Sequence, residues 1–200
     1  MQSYTTAGRE GHTMRLTVKE LILSALFTAL MVAGAFVRIP FPLLPVTLQT
    51  FICALAGLVL GKRLGTLSMI VYTCLGLAGL PVFANGGGIT YIFDKSFGFI
   101  IGFIAGAFVI GTISKKLNSP SVLNNIRSLI PGLAAIYAIG ISYMFLIMRV
   151  YLGNEQAGMI FILTANLPYL VKDMILFILT AFAGASLLPS VRKAMTNRAS

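Results

Sequence analysis

The chain has 200 residues, of which 58% are hydrophobic and only 10% charged, and its mean hydropathy is +0.93. A soluble domain carries about 25% charged residues, and one core of this size cannot hide so much apolar surface, so the bilayer must serve as solvent. The formal charge of +10 does not mark a nucleic-acid binder, because the basic residues stand in short gaps between apolar runs, facing headgroups, and form no basic stripe.

In chain order, a polar tail over residues 1–14 comes first; it holds the only histidine, His12, and reads as disordered and cytoplasmic. Six apolar segments follow, predicting an all-α membrane domain over residues 15–190, closed by a basic cytoplasmic tail over 191–200. The segments are Val18–Val37, Leu48–Leu60, Leu64–Leu80, Phe97–Ile113, Leu129–Tyr151 and Tyr169–Leu188. A span needs about 20 apolar residues, so the second either begins nearer Pro45 or does not cross fully. The apolar stretch Gly158–Leu167 ends at Pro168 and reads as a re-entrant or interfacial piece. The first segment resembles a secretory signal, with Ala33-Gly34-Ala35 as a cleavage-like triplet, but its length and the five segments after it favour a retained span.

The charges set an orientation. With the N-terminus in the cytoplasm, the inner side holds Arg9, Arg15, Lys19, Lys62, Arg63, Lys115, Lys116, Arg127, Arg192, Lys193 and Arg198. The outer half holds Arg38, Lys95, Arg149 and Lys172. Excess Lys and Arg marks the cytoplasmic face, so both termini are expected inside and the number of spans is even, six.

Catalytic classes fall away. Cys53 and Cys74 lie inside apolar runs, and His12 has no companions, so a zinc site or a disulfide framework is not expected. No Gly-x-Ser-x-Gly, His-Glu-x-x-His or pair of intramembrane acids is present. Gly57-Leu-Val-Leu-Gly-Lys62 resembles a phosphate-binding loop, but it is one residue short and lacks the Ser or Thr that holds magnesium. No enzyme and no resident cofactor are expected, and any ATP is used by another protein.

Small residues recur every fourth position at Ala25, Ala29 and Ala33 and at Gly98, Gly102 and Gly106. Such faces allow close helix approach, either within the bundle or to a separate membrane subunit. The remaining polar residues gather toward the outer side. The link from Arg38 to Gln49 contains three prolines and is stiff and extended. Asn85-Gly86-Gly87-Gly88 allows close backbone approach, and Tyr91 and Lys95 follow. Pro168 is placed to open the last helix. That leaves Asp173 two roles, a partner of the helix dipole or a ligand-reading acid, and Lys172 two, a snorkelling headgroup partner or a binding cation.

Three of these strings, Pro45-Val-Thr-Leu-Gln-Thr50, Gly79-Leu-Pro-Val-Phe-Ala-Asn85-Gly-Gly-Gly88 and Pro168-Tyr-Leu-Val-Lys-Asp173, carry a resemblance. From about Leu16 to Leu188 the chain resembles the BioY family, the biotin-binding membrane subunit (S component) of energy-coupling-factor (ECF) transporters. The resemblance implies a six-helix S-component bundle in a bacterial plasma membrane. It captures biotin for a membrane coupling subunit and two cytoplasmic ATPases. It places the coupling contact on Ala25, Ala29 and Ala33, and the ureido-reading groups at Asn85 and Asp173. Many relatives carry a lysine three residues after the aspartate, where this chain has Leu176. Lys172 is then the nearest cation for the biotin carboxylate, with Lys95 and Arg38 behind it.

That ligand suits the residues. An aspartate accepts from ureido N–H groups, an amide such as Asn85 or Gln49 offers donor and acceptor, and a lysine neutralises a carboxylate. Phe41, Phe83, Tyr91 and Tyr169 are expected to wall the apolar middle, with the proline-rich link as a mobile lid. An S component for another vitamin, or a facilitator or secondary transporter acting alone, are the competing expectations.

Overall fold

The computed structural model describes residues 16–41, 43–117, 119 and 121–196, without the side chains of 192–196. The 1–14 tail with His12, and the side chains of Arg192, Lys193 and Arg198, lie outside the described residues. Among the described residues five α-helices carry the fold: α1 Val18–Phe36, α2 Gln49–Leu77, α3 Phe97–Leu117, α4 Val122–Leu146 and α5 Met159–Thr196. All five are long and apolar enough to cross a membrane, counting the turn that extends α4 to Tyr151 and α5 as far as Val191.

The second and third predicted segments both fall within α2, which is broken at Gly61 (φ 76°, ψ −178°). Residues nine apart on a straight helix are separated by about 13.5 Å of rise. Here a Cβ on Gly65 would come within 2.8 Å of the Ala56 carbonyl oxygen. The chain therefore doubles back at Gly61, in a backbone region that only glycine occupies readily. Two rods result, 49–60 and 62–77, so the five helices make six rods.

A capping box starts α1, with Thr17 N–H donating to Glu20 Oε2 (2.8 Å) and Glu20 N–H to Thr17 Oγ1 (3.3 Å). Its buried residues, Ser24, Phe27, Thr28, Met31, Gly34 and Ala35, recur at three- and four-residue spacing and make one face. That face meets α2, where Thr28 Oγ1 donates to the Ser68 carbonyl at 3.1 Å. The opposite face, including Ala25, Ala29 and Ala33, is exposed. The other small-residue face is closed inside the bundle: a Cβ on Gly102 would stand 2.8 Å from the Ile136 carbonyl oxygen, and one on Gly106 2.5 Å from Ile136 Cγ1. The two faces thus part ways, α3 packing on α4 and α1 leaving its alanines free.

Two expectations about elements are corrected. Gly158–Leu167 is not a separate interfacial piece, since α5 begins at Met159 and continues through Pro168. The missing N–H of Pro168 leaves one carbonyl unpaired in the helix without ending it. Asp173 consequently lies in the helix interior, beyond the reach of the N-terminal dipole. The proline-rich link, expected to be extended, is so at both ends, where β1 Arg38–Ile39 pairs antiparallel with β2 Val46–Thr47. Finally, α4 starts earlier than predicted, capped by Ser121 and carrying Pro131 internally, and ends in a π turn, Ile147–Tyr151.

The cross-contacts sort the ends of the rods. A Cβ on Gly111 near the end of α3 would meet Lys62 N at 2.2 Å, and Asn125 Nδ2 at the start of α4 donates to the Ala181 carbonyl at 2.9 Å. One end therefore gathers Lys62, Arg63, Lys115, Lys116 and Arg127. The other holds the 38–47 hairpin, the 78–96 loop with its 3-10 helix Ile89–Phe93, and the π turn.

Candidate solute-binding site

At this second end a cavity of about 70 Å³ is lined from the 49–60 rod, α3, α4, α5 and the two links at that end, with α1 and the 62–77 rod standing outside it. Leu44, Thr47 and Gln49 come from the hairpin and the start of α2, Ala84, Tyr91 and Ser96 from the long loop, and Phe99, Ile100 and Phe103 from α3. Tyr137 of α4 and Asn166, Tyr169, Lys172 and Asp173 of α5 complete it. Residues 166, 169 and 173 share one helical face by their three- and four-residue spacing.

The charged centre is a pair. Asp173 is 4% exposed, and an ionised carboxylate is buried only with compensation. Lys172 Nζ forms an ion pair with Asp173 Oδ1, and Tyr137 Oη donates to Asp173 Oδ2 at 2.8 Å. Lys172 also donates to the Thr47 carbonyl at 3.1 Å. Asp173 Oδ1 has that ion pair but no hydrogen bond, leaving it an open acceptor.

Around the pair the polar groups mostly satisfy one another. Gln49 Nε2 donates to Tyr72 Oη at 2.7 Å and its Oε1 accepts from Thr47 Oγ1 at 3.2 Å. Tyr91 Oη and Ser96 Oγ are 3.0 Å apart. Burial raises the Tyr91 phenol above its usual pKa of 10.0, so it stays a neutral donor. Tyr169 Oη both accepts from Leu44 N–H and donates to the Leu44 carbonyl, each at 2.8 Å. Together with Lys172 on Thr47, this ties α5 to the hairpin at two points.

The structure thus brings together Gln49, Tyr91, Tyr169, Lys172 and Asp173. Asn85 is exposed and does not line the cavity, and Lys95 is half-buried outside it. Phe83 sits behind the wall, 1% exposed, with its ring 4.6 Å from Tyr91 and 5.4 Å from Tyr72. Phe41 packs edge-on against Tyr169 at 5.5 Å, on the outer side. Arg38 donates to the carbonyl of Ala84, a lining residue, and so stands at the rim. Lys172 is not opposite Asp173, as a separate carboxylate partner would be, but in contact with it. Leu176 is half-buried and outside the lining.

Sequence reading missed Tyr137, Asn166 and the Phe99–Phe103 wall. Asn166 had a signal, being a lone amide in an apolar run, a costly placement within a membrane that usually marks a site. No group of three or more metal-ligating side chains occurs among the described residues.

A model of the BioY family matches residues 8–193. The chain belongs to the BioY family. Its relatives include the "Probable biotin transporter BioY" of Lysinibacillus sphaericus, 40% identical over 87% of this chain and 89% of that protein. The "Biotin transporter BioY" of Thermotoga maritima is 44% identical over 62% of this chain and 73% of that one. Among solved structures, the S-component for biotin from an ECF-type ABC transporter superposes with a TM-score of 0.67 at 28% identity, covering 86% of this chain and 94% of that one.

Proposed function

We propose that this BioY-family chain captures biotin as the substrate-binding subunit of an ECF transporter in the plasma membrane of a bacterium. It is a transport subunit, not an enzyme. The observation that carries the reading is the Lys172–Asp173 pair, steadied by Tyr137, inside a cavity walled by aromatic rings. A ureido group offers a carbonyl beside N–H donors, and an ammonium beside a carboxylate is its complement. Asp173 accepts a ureido N–H while Lys172 donates to the ureido oxygen. The aromatic wall of Tyr91, Phe99, Phe103 and Tyr169 covers the apolar thioether ring and tail. The valerate carboxylate then points outward, toward Arg38 at the rim, with Lys95 in the adjoining loop.

Six rods with the basic end in the cytoplasm make six spans with both termini inside, in keeping with the positive-inside bias. The cavity then opens outward. Pockets that enclose a small ligand are roughly 300–1,000 Å³, several times the present cavity, so capture requires the 38–47 hairpin to swing off Tyr169 and Lys172. The exposed Ala25, Ala29 and Ala33 face docks the membrane coupling subunit, and two cytoplasmic ATPases supply the energy.

The test is reconstitution. Vesicles holding this chain with a coupling subunit and ATPases should accumulate labelled biotin only with ATP inside. Uptake by this chain alone would instead establish a self-sufficient transporter.

A further inference from the structure

Besides Asp173 Oδ1, one buried side-chain atom among the described lining residues has no hydrogen-bond partner. Asn166 is 2% exposed and lines the same space as Asp173. Its Nδ2 donates to the Ile162 carbonyl at 2.8 Å and contacts Met144 Sδ at 3.6 Å, whereas its Oδ1 has no partner. Exchanging the two amide atoms would set one carbonyl oxygen against another, so the Ile162 contact fixes which atom is left open. A buried acceptor in this state is an anomaly in a folded protein. The tyrosines lining the same space do not supply the missing donor, since Tyr91, Tyr137 and Tyr169 each spend their one hydroxyl proton on another group.

We propose that Asn166 is a further solute-contacting residue that sets specificity, its Oδ1 accepting an N–H of the bound cyclic urea. The inference rests on the biotin reading above. At neutral pH biotin has only two hydrogen-bond donors, both ureido N–H groups, and among the described lining residues two buried side-chain oxygens have no hydrogen bond, Asp173 Oδ1 and Asn166 Oδ1. The match in number gives each N–H one acceptor, with Lys172 on the oxygen between them. Residues 166 and 173 are seven apart, two turns of α5 on one face, so the ring lies along that face between them. A site built to accept an N–H rejects analogues that lack it more strongly than an apolar wall does.

The experiment is a cycle between a side chain and a ligand atom. Asn166→Ser keeps a hydroxyl able to donate to the Ile162 carbonyl, as Thr164 does to Ile160 at 2.9 Å, but withdraws the amide oxygen. Biotin and its two singly N-methylated isomers are titrated into purified wild-type and N166S protein. The expected result is a tenfold or greater loss of biotin affinity in N166S. One methylated isomer should bind wild type weakly and lose nothing further in N166S, while the other should lose affinity as biotin does. Equal losses for all three ligands, or undiminished biotin binding in N166S, overturns the contact. Should N166S fail to fold, wild type alone decides: both isomers binding as tightly as biotin also overturns it. Absence of biotin binding by the wild type is a separate result, which refutes the biotin reading itself.

Discussion

Tyr137 on α4 donates its hydroxyl to Asp173 Oδ2 on α5 at 2.8 Å, and both side chains line the same cavity. The bond fixes the carboxylate, leaves Oδ1 turned to Lys172, and joins two helices at the depth of the site.

Removing the hydroxyl should therefore cost more than packing. Tyr137→Phe takes away a hydrogen bond to a charged group, worth about 1.5–3 kcal/mol, part of which is recovered because Asp173 keeps Lys172. Biotin affinity is expected to fall about tenfold with the fold intact, read by calorimetric titration beside a thermal melt of the unliganded protein. Unchanged affinity would mean Asp173 holds its orientation without Tyr137.

Asp173→Asn keeps the shape but leaves a weaker acceptor. A loss of tenfold or more in biotin affinity is expected, about 1.4 kcal/mol. Wild-type affinity in this variant would return Asp173 to a structural role in pairing Lys172.

Lys172 and Asp173 should behave as a unit. Lys172→Met strands a buried carboxylate, which costs several kcal/mol when both charges are buried and less here, about 1–3, because the lysine side chain is 25% exposed. Adding Asp173→Asn to that variant removes the stranded charge, so the double variant should melt above the Lys172→Met single. Additive losses in the melts would show that the pair is not coupled.

How much of this was visible in the sequence varies with the kind of signal. Apolar runs and their basic gaps marked the rods, because length and hydropathy are local properties. The reversal at Gly61 was legible only as a gap between segments, since no side chain announces a positive φ. Pro168 misled: the residue that opens helices elsewhere lies inside α5 here, where the surrounding packing holds the helix together. Asp173 and Lys172 were singled out because charged groups in apolar surroundings need a reason, and Gln49, Tyr91 and Tyr169 through the resemblance and the ligand it implied; all five line the cavity. Asn85 was carried over from the resemblance, and the structure leaves it exposed outside the lining. Tyr137 escaped because an aromatic within an apolar run looks like core until the helix packed against it is known.

The proposed swing of the hairpin is tested by rates. Tyr169→Phe deletes both bonds to the Leu44 backbone, each worth about 0.5–1.5 kcal/mol. Stopped-flow measurements should show faster biotin dissociation, by roughly tenfold, with a smaller gain in association. Dissociation at the wild-type rate would place the gate elsewhere.

Gly61→Ala meets no steric obstacle, since nothing lies within 4 Å of the new Cβ. Its cost is conformational alone, about 1–3 kcal/mol for holding an L-residue in that backbone region. A lower melting temperature with unchanged biotin affinity is expected, because the turn lies at the end of the bundle away from the site.

The most direct measurement is a titration of the purified chain with biotin, alongside thiamine and riboflavin. Saturable binding of biotin near the nanomolar range, about −12 kcal/mol, with none of the other two at the same concentrations, is the predicted result. No saturable biotin binding, or tighter binding of either other vitamin, would contradict the account.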